Sequence, residues 1–216
     1  MKLTFDKNEL LNAIQTVQSS ISTKSTLAVL SNFLIKAESA GKGSSPAVKM
    51  EATDLEVGVR TTVKAEIKET GRGTIPAKKF AEMVRELPDG KEIEVSTSED
   101  QKKVTIRCGK VRAMLHTLAP EDYPAIPEFP REAALTFKKA LFLDMLRKSS
   151  FAVSSDETRH ALNGIYFVVK GTEVKMVATD GRRLAMVTHT STTKHADASV
   201  IIPSKATNEL ARLLSL

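Results

Sequence analysis

The chain has 216 residues, of which 41% are hydrophobic, 27% charged and only 5% aromatic, values that fit one large globular domain or two of ordinary size with aliphatic cores. Its single cysteine, Cys108, excludes an internal disulfide, and no stretch approaches a signal-peptide core or the roughly 20 apolar residues of a membrane span, so a soluble cytoplasmic protein is expected. The formal charge of +6 favours polyanionic partners, although it is equally compatible with simple solubility.

Asp6-Lys7-Asn8-Glu9 sets a capping residue three before a glutamate, and Leu10, Leu11, Ile14, Val17 and Ile21 follow at helical spacing, which predicts an amphipathic helix. Strands are expected over 30–36 and 48–52, joined as a hairpin whose inserted tip is the loop from Ser39 to Pro46. Val57, Val59, Thr61 and Val63 alternate as a half-buried strand. Pro76 opens a second helix with Phe80, Val84 and Leu87 on its apolar side, and Pro88-Asp89-Gly90 stops it. Further strands are expected at Ile93-Glu94-Val95 and over 104–118, with Cys108 as a strand residue and Lys110 near a bend.

Pro120, Pro124, Pro127 and Pro130 then mark a linker between domains. Beyond it the order returns: a third helix with Leu141, Met145 and Leu146, strands over 162–169, 174–178 and 184–188, and a fourth helix initiated by Pro203.

That recurrence is written in the residues. Val48-Lys49-Met50-Glu51-Ala52-Thr53-Asp54 reappears 126 residues later as Val174-Lys175-Met176-Val177-Ala178-Thr179-Asp180, and Ile75-Pro76-Ala77-Lys78 reappears 127 later as Ile202-Pro203-Ser204-Lys205. Thr4-Phe5 likewise returns as Thr136-Phe137. A period this long is a domain repeat rather than a solenoid. The expected domains are 1–125 and 131–216, both α+β, each with two helices packed on antiparallel sheet. The second copy lacks counterparts of the strands after the first copy's second helix. A partial chain is therefore expected, with an open sheet edge and an uncovered apolar helix face.

Little in the sequence points to catalysis. His116, His160, His189 and His195 show no metal-ligand spacing with each other or with Cys108, and Gly41-Lys42-Gly43 sits in a hairpin tip rather than a phosphate-binding turn. Asp54 and Asp180 end the same motif in different copies, so a turn role outweighs the rival reading of a metal-dependent nuclease. No serine lies in a nucleophile-elbow pattern. No catalytic residue, metal or cofactor is expected.

The basic residues carry more. Lys78, Lys79 and Arg85 lie on the second helix, Lys138, Lys139, Arg147 and Lys148 on the third, and Lys205 and Arg212 on the fourth, against Glu82, Glu86, Asp144 and Glu209. Lysines at helix N-termini suit phosphates, and solvated helix faces are the plainer alternative. After the shared Thr-Asp, the second copy places Gly181, Arg182, Arg183 and Leu184 where the first has Leu55, Glu56 and Val57. Such a turn either frames a small groove with charged and apolar walls or is a plain glycine turn.

In these motifs, together with Thr26-Leu27-Ala28-Val29-Leu30-Ser31-Asn32, Asp122-Tyr123-Pro124 and Leu162-Asn163-Gly164, the chain resembles the bacterial DNA polymerase III β subunits, the replicative sliding clamps. The resemblance runs through the whole chain and implies its first domain and most of its second, the third being absent. It implies a head-to-tail dimeric ring in the full-length protein, with helices facing a central channel for double-stranded DNA, and a monomer for this chain alone. Lys24, Lys78, Lys79, Lys138, Lys139, Arg147 and Lys205 would then contact DNA. Leu162, Thr179, Gly181, Arg182, Arg183 and Leu184 would form one side of a pocket for short linear motifs of the replicative polymerase, the clamp loader and repair proteins. The segment Asp156-Glu157-Thr158-Arg159-His160-Ala161 occupies a second loop where such proteins can meet DNA, and its acidic start argues against strong single-strand contact. The function implied is a non-catalytic processivity factor. Its rival is a nonspecific nucleic-acid binder that does not encircle its ligand.

Overall fold

The computed structural model divides into two units, Met1–Pro127 and Glu128–Leu216. The residues described are 1–21, 27–38, 47–128 and 135–215.

The first unit contains β1 (Lys2–Phe5), α1 (Lys7–Val17), β2 (Asn32–Glu38), β3 (Ala47–Thr53), β4 (Gly58–Val63), β5 (Glu66–Glu69), β6 (Gly71–Pro76), α2 (Ala77–Glu86), β7 (Ile93–Thr97), β8 (Lys103–Cys108) and β9 (Val111–His116). They form a four-stranded sheet in the order β4-β3-β2-β6 and a five-stranded sheet in the order β5-β1-β7-β8-β9, antiparallel throughout. Asp6 caps α1 by accepting from the backbone N–H groups of Asn8 and Glu9, and Leu10, Ala13, Ile14 and Val17 form its buried stripe. α2 buries Ala77, Phe80, Ala81 and Val84, with Leu87 just beyond. Lys7 Nζ reaches the far end of α2, donating to Leu87 O at 2.6 Å and pairing with Asp89 at 2.7 Å. One of the carbonyls that a helix C-terminus leaves open is thereby satisfied from the other helix.

Several elements depart from the sequence expectation. The strand expected from Leu30 starts at Asn32, because 28–31 form a 3₁₀ turn that drives Val29 and Leu30 into a cluster with Leu34 and Tyr123. Pro76 ends β6 and stands as the N-cap of α2, so Ala77 is the first helical residue. β1, β5 and β6 have no counterpart in the sequence expectation. β6 begins Gly71-Arg72-Gly73, a strand-poor composition that the packing requires, since a Cβ at Gly73 would lie 2.8 Å from Thr97 Cγ2. The tip of the β2–β3 hairpin, including Gly41-Lys42-Gly43, lies outside the described residues. The first part of the expected linker is built into this unit, with Pro120 and Tyr123 buried.

The second unit contains α3 (Lys139–Ser150), β10 (Gly164–Thr179), β11 (Leu184–Pro203) and α4 (Ser204–Leu213). β10 and β11 pair antiparallel from Gly164↔Pro203 to Thr179↔Leu184, with register shifts around Gly171, whose φ is +57°. Around that point the buried face passes from Ile165, Phe167 and Val169 to Val174, Met176 and Ala178. The three short strands expected here are thus two long ones. The stretch 189–199 carries no apolar alternation in the sequence because Thr, Ser, Lys, His and Asp dominate it, and most of it is exposed. Nor is the core purely aliphatic. Phe137, Phe142 and Phe167 pack with centroids 5.6 to 6.1 Å apart, and Phe5, Phe33 and Phe80 are buried in the first unit.

Pairing follows the repeat. β3 pairs with β4 and β2 with β6 in the first unit, while the later half of β10 pairs with the start of β11 and its earlier half with the end of β11 in the second.

Candidate nucleic-acid interface and docking turn

Helix starts are where the basic residues gather. A helix N-terminus carries partial positive charge, so acidic or hydroxyl side chains belong there and lysines are unfavourable. α1 obeys this rule through Asp6 and Glu9, but α2, α3 and α4 have no acidic residue in their first turns. Lys78 and Lys79 occupy the first turn of α2, Lys205 that of α4, and all are exposed. Lys138 stands as the N-cap of α3, outside the helix, with no side-chain capping bond, and Lys139 is the first helical residue.

The repeat aligns Asp6-Lys7 with Lys138-Lys139. In the first copy the aspartate caps its helix and the lysine is spent inside the fold on Leu87 and Asp89. Both positions in the second copy are lysines exposed to solvent. Arg147 is exposed further along α3, whereas Lys148 is paired with Asp144 at 2.7 Å and Arg212 with Glu209 at 2.6 Å. Lys24 lies outside the described residues.

The second feature is the turn after β10. Thr179 Oγ1 donates to Arg183 O at 2.7 Å and accepts from Gly181 N at 3.1 Å. Asp180 Oδ1 accepts from the N–H groups of Arg182 and Arg183 at 2.9 and 3.0 Å, and its Oδ2 pairs with Arg183 Nε at 2.9 Å. Those backbone donors, with the Arg183 guanidinium, hold the Asp180 carboxyl below the usual carboxylate range. Asp54 accepts from Glu56 N and Val57 N in the equivalent turn of the first unit. Both aspartates therefore act as turn caps, the role their spacing suggested over metal binding. Among the described residues no group of three His, Cys, Asp or Glu is placed to hold a metal.

This turn projects Leu184 outward, 64% exposed, beside Arg182 and Arg183. The Arg183 guanidinium lies 5.8 Å from the ring centroid of Phe151, itself 59% exposed just past the end of α3. Phe151 is absent from the sequence-based site, although an aromatic directly after the polar helix end Lys148-Ser149-Ser150 is its one visible signal. Met186, on the strand leaving the turn, is also exposed. Leu162 belongs to a separate loop, half-buried, donating to Arg159 O at 2.8 Å and accepting from Ser154 N at 3.0 Å. Asn163 beside it clasps that loop to α4: its side chain donates to Ser154 O at 2.8 Å and accepts from Ser204 Oγ at 2.7 Å. In the acidic loop, Asp156 is engaged with Thr158 and Arg159.

Comparison with known proteins places these features in a lineage. Residues 1–127 match the model of the DNA polymerase III beta subunit N-terminal domain, and residues 136–216 that of its central domain. The Beta sliding clamp of Vibrio cholerae is 33% identical over 99% of this chain and 57% of its own length, and that of Escherichia coli K12 is 31% identical over 99% and 57%. Among solved structures, the DNA polymerase III subunit beta of Pseudomonas aeruginosa aligns with a TM-score of 0.87 at 33% identity, covering all of this chain and 57% of that one. The DNA polymerase sliding clamp of Bacillus subtilis aligns with a TM-score of 0.91 at 26% identity, covering 99% and 56%. The chain thus spans a little over half the length of the relatives it matches. With two consecutive domain models matched in order and its repeated α+β units superposing on those structures, the chain belongs to the DNA polymerase III beta subunit family.

Proposed function

We propose that this chain is the DNA-holding part of a sliding clamp, a non-catalytic ring of two copies that encircles duplex DNA and tethers the replicative polymerase. The observation that carries this reading is the exchange of Asp6-Lys7 for Lys138-Lys139 between the two copies. Replacing a capping aspartate by lysine forfeits about 1 kcal/mol of helix stability and sets two cations against the helix dipole. A sequence under no demand for positive charge there has no reason to bear that cost. Lys78 and Lys79 in the first unit and Arg147 and Lys205 in the second are exposed as well, and Lys24 would add a further cation. Exposed lysines meeting phosphates hold a duplex without reading its bases, which is compatible with sliding.

The turn from Thr179 to Leu184 would serve as the docking element, with Leu184 taking a hydrophobic anchor and Arg182 and Arg183 the polar rim of a short linear motif. Leu162 would complete this side. The motifs would come from the polymerase, the clamp loader and repair proteins. Exposed leucine and arginine held on a hydrogen-bonded turn suit such recognition.

The protein purified from its own cells tests the ring. Loaded on a circular plasmid, it should be released when one cut linearises the DNA, at constant salt. Retention that ignores the cut and follows salt alone would replace the ring with a non-encircling binder.

A further inference from the structure

Glu51 lies in the middle of β3 with its side chain 1% exposed, a carboxylate buried inside a sheet. Such a charge is tolerated only when fully paired. Lys36 Nζ lies 3.1 Å from each of its oxygens, and Arg60 Nε lies 2.7 Å from Oε1. β2, β3 and β4 each contribute one member of this triad. Arg60 does more than neutralise: its Nη2 extends past the carboxylate and donates to Ile126 O at 3.2 Å.

Ile126 is in the strap that follows Tyr123, and two further contacts hold that strap. The Tyr123 hydroxyl lies 3.4 Å from Asn32 O and 3.5 Å from the backbone carbonyl of Glu51 itself. The Ile126 side chain rests on Gly58, where an added Cβ would lie 3.1 Å from Ile126 Cγ2. Pro124 and Pro127 have no N–H to contribute, so the strap cannot fasten itself by an ordinary strand ladder.

We propose that Glu51, acting through Arg60, is a latch that fastens the 123–126 strap to the four-stranded sheet, so that the chain leaves the first unit along one path and can detach there without the sheet unfolding. A guanidinium is suited to this because its planar fork serves two acceptors at once, while an ammonium held on the carboxylate cannot also span to the strap. Glu51 and Arg60 are positioning residues. The strap is the element they bias, and its opening is a local event well below global unfolding.

Methyl NMR together with amide exchange of the full chain tests this. Arg60→Lys keeps a cation for Glu51 and gives up the strap. The nuclear Overhauser contact between the Ile126 Cγ2 methyl and the Gly58 Cα protons should be lost, while Met50 and Ala52 in β3 keep their parental exchange rates. Glu51→Gln should lose the same contact. If Arg60→Lys leaves that contact intact, or loses it only together with the protection of β3, no latch exists.

Discussion

Leu55 and Gly181 hold the same place in the two copies of one turn, and both have left-handed backbone, with φ of +78° and +88°. Each donates its N–H to the threonine two residues before it, Thr53 Oγ1 or Thr179 Oγ1, at 3.1 Å. The turn is therefore dictated by Thr-Asp rather than by glycine. Only the second copy has the residue suited to it, since a leucine in this region costs about 1 kcal/mol.

Leu55→Asn should accordingly stabilise the first unit by about 0.5 kcal/mol, because asparagine tolerates this conformation and Leu55 is 60% exposed. Gly181→Ala should destabilise the second by about 1 kcal/mol. Denaturant midpoints of the two variants check the pair. Equal and opposite behaviour is not required, but Leu55→Asn must not destabilise.

Tyr123 makes a prediction at high pH. Burial, with a smaller contribution from the Glu51 charge, pushes its hydroxyl up from 10.0 to about 12. The folded chain thus keeps this proton where the unfolded chain has lost it. Below about 10 the contribution to stability is complete, and it drains away as pH rises towards about 12. Tyr123→Phe should lose less stability than the parent between about pH 10 and about pH 12. Parallel curves would show that the hydroxyl titrates normally.

Gly164 allows no side chain. A Cβ there would lie 2.6 Å from Ile202 O, a backbone atom across the β10–β11 pairing that cannot swing aside. Gly164→Ala should cost about 2 kcal/mol and lower the unfolding midpoint of the second unit. A neutral substitution would show that the strand ends slide freely.

Lys138→Asp separates stability from binding. Restoring the aspartate used by the first copy should raise the stability of the second unit by about 1 kcal/mol through capping and the helix dipole. The same change should weaken binding to duplex DNA and flatten its salt dependence by about 0.9 in log–log slope for each phosphate that is no longer neutralised. A variant both more stable and equally good at binding DNA would remove Lys138 from the interface.

The sequence shows its helices well because their caps and stripes are local: Asp6, Leu10, Ile14 and Val17 announce α1 without knowledge of anything else. β6 and the second half of β11 are illegible there because distant partners specify them. Gly73 is present for the sake of Thr97, and the polar run of β11 is set by pairing with β10 rather than by an apolar face of its own. The basic helix starts and the turn at Asp180 can be read directly. Phe151 cannot, since its relation to Arg183 depends on how α3 ends beside a turn far along the chain. Nor can Glu51, which reads as one more charged residue in a strand until its burial is seen.

Asn163 and Gly164 together form the dipeptide most prone to spontaneous deamidation, in which the glycine N–H attacks the side-chain amide through a cyclic imide. Here the electrophilic half of that reaction is held in place. The amide donates to Ser154 O and accepts from Ser204 Oγ, while the glycine lies in the β10–β11 register opposite Pro203. Chemical ageing at this bond thus requires the loop to release α4 first. The small mass gain at Asn163 then records how often this loop has opened, and it should accumulate faster in Ser204→Ala than in the parent.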